Sequence, residues 1–96
     1  MKRNFDIGDF VDIATPQSVI LSLKERVKKR RKALKITQKK LAEKSGVSYA
    51  SVRRFENTGE ISLLSLINIA DVLGCIEDFN MLFHINIITN LKDFSE

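Results

Sequence analysis

Residues 37–56, TQKKLAEKSGVSYASVRRFE, leave this chain little choice of local structure. Thr37 and Ser48 carry side-chain oxygens that accept from the free amides of a helix's first turn, so each marks a start. Gly46 supplies the left-handed backbone that ends the first helix and turns into the second. Two helices that cross steeply over a short turn need a small residue where they touch, a glycine in the turn, an apolar anchor after it, and an apolar pair on the second helix. Ala42, Gly46, Val47, and Val52 with Phe55 fill these places at mutually consistent spacing, and Leu41 joins Ala42 on the inward face. Opposite Val52 and Phe55, helical spacing stacks Tyr49 with Arg53 and Ala50 with Arg54 on an outward face.

The surrounding chain reads as more helix. Thr15-Pro16 predicts a helix to about Leu34, because threonine caps well and proline at the first helical position gives up only an unpartnered amide. Ile20, Leu23, Val27 and Leu34 form its expected buried stripe, and its other faces are crowded with Lys24, Arg26, Lys28, Lys29, Arg30, Arg31 and Lys32. The NTGE of residues 57–60 is loop chemistry. Ser62 caps a fourth helix with Leu63, Leu66, Ile69, Ala70 and Leu73 inward, and Gly74 stops it. Residues 77–83 read as a short fifth helix whose Phe79, Leu82 and Phe83 are available to close the core. The two ends differ in character. Residues 1–14 read as an N-terminal arm, and residues 85–96 as an extended tail in which Ile85, Ile87 and Ile88 suggest a short strand. The expected fold is all-α, a five-helix domain over residues 15–84 with short extended terminal segments.

Charge is segregated along the sequence. Residues 24–54 hold thirteen Lys and Arg against Glu25 and Glu43, a local balance of +11 within a chain of net +4. Such asymmetry suggests a polyanion as the partner of one face. Other classes fall away. No run of about 18 apolar residues is present, so no membrane partner is expected. No secretory signal is visible in MKRNFDIGDF, and the single Cys75 rules out an intramolecular disulfide, which makes a reducing cytoplasm the expected setting. One histidine, His84, one cysteine beside the acidic Glu77 and Asp78, and the lack of a phosphate-binding glycine loop or metal-ligand cluster argue against an enzyme. No cofactor is expected, and no ligand pocket is evident.

Residues 26–74, RVKKRRKALKITQKKLAEKSGVSYASVRRFENTGEISLLSLINIADVLG, resemble the helix-turn-helix domain of phage repressor and Cro-like (xenobiotic-response-element) transcriptional regulators. The resemblance extends from about Leu23 to Phe83, roughly two-thirds of the chain, and implies a protein whose third helix enters the major groove of double-stranded DNA, usually as a two-fold dimer. It places Gln38 at a backbone phosphate, where it also braces a side chain of the reading helix, and Ser48, Tyr49, Ala50, Arg53 and Arg54 at the reading positions. It matches Arg31 and Glu56 to an internal salt bridge. Physical chemistry supports the same surface: arginine bonds the O6/N7 edge of guanine, a small apolar residue such as Ala50 can meet a thymine methyl, and the helix starts at Thr37 and Ser48 suit phosphate. Lys39, Lys40, Lys44 and Asn57 add phosphate anchors. Within the family, SGVSYASVRRFENTGEISLLSLINIADVLG followed by Asp78-Phe79 and Leu82-Phe83 is similar to small antitoxins that accompany a HipA-type kinase toxin. The expected function is a sequence-specific repressor acting as a homodimer, with a toxin-binding antitoxin as the alternative. Phe79, Leu82, Phe83, Ile85 and Ile87 are the expected dimer contacts, through the fifth helix or through pairing of residues 10–13 and 85–88 as strands.

Overall fold

The computed structural model describes residues 13–85, and five helical elements follow one another: α1 (Pro16–Ala33), α2 (Gln38–Ser45), α3 (Tyr49–Thr58), α4 (Leu63–Val72) and a 3-10 helix (Ile76–Met81). The fold is all-α, with no strand among the described residues. The arm and tail expected for residues 1–14 and 85–96, with their strand pairing and Ile87, lie almost wholly outside the described residues; Ile13 and Ile85, at the margins, are exposed.

Each α-helix begins where a hydroxyl can satisfy a free amide. Thr15, Thr37, Ser48 and Ser62 accept from the backbone N–H of Ser18, Lys40, Ser51 and Ser65. At Thr15 the arrangement is reciprocal, because the Thr15 N–H donates to Ser18 Oγ at 3.0 Å. The ends are set by left-handed residues. After α4, Gly74 (φ +77°) lets the Cys75 N–H donate to Ala70 and the Gly74 N–H to Asp71, which satisfies the last carbonyls. After α1 the same two bonds form, from Ile36 to Arg31 and from Lys35 to Lys32, but the left-handed position holds Lys35 (φ +59°) instead of glycine.

The apolar core sits among α2, α3 and α4. Leu41, Val52, Phe55, Ile69 and Leu73 are each at most 2 % exposed, with Val47, Leu66 and Ala70 beside them. The first helix attaches differently. Its one buried residue is Arg31, and Leu23 and Val27 are half-buried. Ile20 and Leu34 of the expected stripe are 44 % and 50 % exposed, as is Leu63 on α4 at 66 %, so these three do not join the core. Polar bonds carry much of the attachment instead: Arg30 Nε donates to the Leu73 carbonyl at 2.9 Å, and Lys24 Nζ to the Glu56 carbonyl at 3.3 Å. A close approach adds to them at Gly59 (φ +86°), where a Cβ would overlap Ile20 Cγ2.

The fifth element starts at Ile76 and stops at Met81, before two of the residues expected to close the core. Phe79 is half-buried, Leu82 is 55 % exposed and Phe83 is 96 % exposed. Six residues with no side-chain cap cannot lay a long apolar face on the bundle. As a result, α1, α4 and the 3-10 helix leave between them, among the described residues, a largely apolar groove of about 670 Å³, where no pocket was expected.

Candidate nucleic-acid interface

The interface is built on the start of α2 and the outward side of α3. Glu56 fixes how the two meet. Its carboxylate is 3 % exposed, and it lies on the inward side of α3 with Val52 and Phe55. Arg31 Nε donates to Oε2 at 2.6 Å and Arg31 Nη2 to Oε1 at 2.9 Å, the two-point geometry that suits a guanidinium and a carboxylate. Gln38 Nε2 donates to the same Oε1 at 2.9 Å. Burial by itself would push the Glu56 carboxyl up. The hydrogen bonds from Arg31 and Gln38, together with the positive charges of Arg31 and Lys28, outweigh it and hold the group below the usual carboxylate range. Arg31 Nη1 then donates to the Ile36 carbonyl at 2.8 Å, so one guanidinium also secures the α1–α2 connection.

Gln38 is therefore half-buried and committed through its amide to α3. Thr37, one position earlier, is exposed and caps α2. Ser48 accepts from the Ser51 N–H at 3.0 Å and donates to Ser51 Oγ at 2.9 Å, which leaves the α3 start exposed and well ordered by its own cap. Tyr49 is 40 % exposed, and its ring has Lys39 Nζ from α2 and Arg53 Cζ from α3 each 5.6 Å from the centroid. A tyrosine held between cations is favoured electrostatically and loses little rotational freedom if its hydroxyl meets a ligand. Ala50, Arg53, Arg54 and Asn57 are all exposed, and so are Lys39, Lys40 and Lys44. The surface that results is basic, with a small apolar spot at Ala50.

Two features of this surface were not read from the sequence. Arg54 Nε donates to Glu60 Oε1 at 3.0 Å, with both side chains about two-thirds exposed. Glu60 reaches back because Gly59 turns the chain in the left-handed region, and its own N–H donates to Thr58 Oγ1. An acid placed just past a glycine stop is the one signal that was available. Lys40 is also shared, 3.4 Å from the Glu43 carboxylate. The basic run at residues 28–32 divides by job: Arg31 is buried, Arg30 is bound to α4, and Lys29 and Lys32 are exposed. Phe79, Leu82, Phe83 and Ile85 lie on the 3-10 helix and the turn beyond it, not among these residues.

Among the described residues, no group of His, Cys, Asp and Glu could hold a metal ion, and no helix is long and apolar enough to cross a membrane. Residues 27–78, more than half of the chain, match the model of the family described as Helix-turn-helix. No curated protein and no solved structure matches the chain significantly.

Proposed function

The chain belongs to the helix-turn-helix family of DNA-binding transcription regulators, and from that premise we propose that it is a repressor that reads its operator as a homodimer. In this reading α3 lies in the major groove. Tyr49, Ala50, Arg53 and Arg54 meet base edges, while Thr37, Gln38, Lys39, Lys40, Ser48 and Asn57 hold phosphates. The observation that carries it is the sorting of α3 itself. Val52, Phe55 and Glu56 are buried, whereas Tyr49, Ala50, Arg53 and Arg54 are exposed and flanked by the α2 lysines. A helix held by a buried ion pair and presenting arginines suits direct readout, because its angle to the duplex is fixed before binding.

The exposed apolar residues Phe83 and Ile85, next to Leu82 and Phe79, support dimerisation. A two-fold dimer of this kind reads half-sites about 34 Å apart, one helical turn of DNA. Selection from a random duplex pool should return a two-fold-related sequence, and binding to it should weaken steeply with salt. Recovery of no sequence preference would overturn the reading. Met81, at 64 % exposed, extends the same apolar surface and supports a second role, an antitoxin that binds a kinase-like toxin through it. Co-purification of a kinase-like protein that is lost in a Phe83→Asp variant, with DNA binding retained, would distinguish that role from a stand-alone repressor.

A further inference from the structure

Two acids stand within the basic reading surface, Glu43 beside Lys40 and Glu60 beside Arg54, and the second is placed there by a closed ring of hydrogen bonds. Arg54 Nε and Nη2 both donate to Glu60 Oε1, the first at 3.0 Å. The ring returns through Thr58: the Glu60 N–H donates to Thr58 Oγ1 at 3.1 Å, and Thr58 Oγ1 donates to the Arg54 carbonyl at 2.8 Å. Between them Gly59 is fixed twice, by its N–H on the Phe55 carbonyl at 2.7 Å and by Ile20 of α1, which fills the space a Cβ would need. An exposed ion pair is usually worth little, in part because two long side chains must be ordered to form it. Here the backbone of both partners is already held, so less freedom is lost. Both bonds leave one edge of the guanidinium. Nη1, with the Nη2 hydrogen beside it, has no protein partner among the described residues.

We propose that Glu60 is a specificity-determining residue, which cancels the charge of Arg54 towards phosphate and leaves it the donors that read guanine. This rests on the reading of DNA by α3 set out above. A phosphate attracts an arginine mainly through charge, and a carboxylate already paired with the guanidinium removes much of that attraction. The guanine edge is uncharged and is recognised by two coplanar donors, which the free end of the fork supplies to O6 and N7. Glu60 therefore weakens Arg54 on every duplex, and the two-point bond offsets that loss only where the sequence provides a guanine. Glu43 provides the contrast. It stands 3.4 Å from Lys40, a phosphate anchor in this reading, so its removal acts on all sequences alike.

The test compares affinity of the full chain for the selected operator and for an unrelated duplex of equal length, across a range of salt. Glu60→Gln should tighten the unrelated duplex more than the operator, so that the ratio of the two affinities falls about threefold, the size expected of an exposed ion pair. On the unrelated duplex its slope of log affinity against log salt should steepen by about 0.9, one added phosphate contact, and by less on the operator. In an Arg54→Ala background, Glu60→Gln should leave the ratio unchanged. Glu43→Gln should tighten both duplexes and keep their ratio. A ratio unmoved by Glu60→Gln, in a parent that does discriminate, would overturn the proposal and leave the DNA-reading role intact. A ratio lowered as much by Glu43→Gln, or lowered by Glu60→Gln in the absence of Arg54, would also overturn it, since charge alone would then account for the effect. A parent that prefers no sequence overturns both.

Discussion

The two sides of this bundle are held together by different physics. Between α2, α3 and α4, apolar side chains meet with almost no exposure: Leu41, Val52 and Ile69. On the α1 side the apolar residues stop half-way, and charged groups reach across: Lys24, Arg30 and Arg31 each bond a partner on α3 or α4. The closed side holds the reading helix at its angle, and burial without direction does that well because close packing resists deformation. The polar side specifies direction, since each guanidinium accepts only one geometry, but it excludes little water. A domain built this way has its firmest packing under the DNA-reading surface and its least complete packing furthest from α2.

The sharpest break of that contrast is Leu41→Ala, which should destabilise the protein by about 4 kcal/mol in denaturant unfolding, because the cavity opens on the closed side. Leu82→Ala on the open side should change the same midpoint by less than about 0.5 kcal/mol. Glu56→Ala comes next, at roughly 3 kcal/mol, since it strands Arg31 in a buried position without its partner. The same pair has a pH signature. Because the Glu56 carboxyl is held below its unfolded value, its contribution is fully present above about pH 4.3, the ordinary glutamate value, and is lost as pH falls through the folded value. Acid unfolding of the parent should therefore include a step that Glu56→Gln lacks.

On the reading surface the expected effects are smaller and appear in binding. Arg54→Ala should cost about 1–3 kcal/mol of affinity for the selected operator and relax one base preference, as read by titration against single-base variants. Lys40→Ala should weaken all sequences alike and lower the slope of log affinity against log salt by about 0.9. Glu60→Gln, which frees Arg54 from a competing carboxylate, should tighten binding by up to about fivefold without changing the sequence preferred. The mildest is Lys35→Gly, expected to stabilise the protein by about 1 kcal/mol by relieving a left-handed lysine, with no change in DNA binding.

How much of this was legible depended on how local each cause was. The helix starts were readable because a hydroxyl and the amide it accepts are three residues apart, as at Thr37 and Lys40. Gly46 and Gly74 were readable as stops for a similar reason, and Gly59 as part of a loop. Lys35 was not, because lysine is an ordinary helix residue and only the bonds of Ile36 and Lys35 to α1 show that the turn is left-handed. The Arg31–Glu56 pair spans 25 residues and came from family resemblance, not from any local pattern. Glu60 as a partner of Arg54 needed the direction of the chain after Gly59. The groove was hidden for a different reason. An apolar stripe says that a face is to be covered, but α1 is tied to the end of α4 by Arg30 on the Leu73 carbonyl, a contact that no periodicity contains.

The Glu56 carboxylate joins Arg31 of α1, Gln38 of α2 and the helix of its own backbone, so three rods meet at a single pin. With Lys24 on the Glu56 carbonyl and Ile20 against Gly59 as further fastenings between α1 and the end of α3, the joint can neither slide nor pivot, and the helix that carries Tyr49, Arg53 and Arg54 keeps one angle.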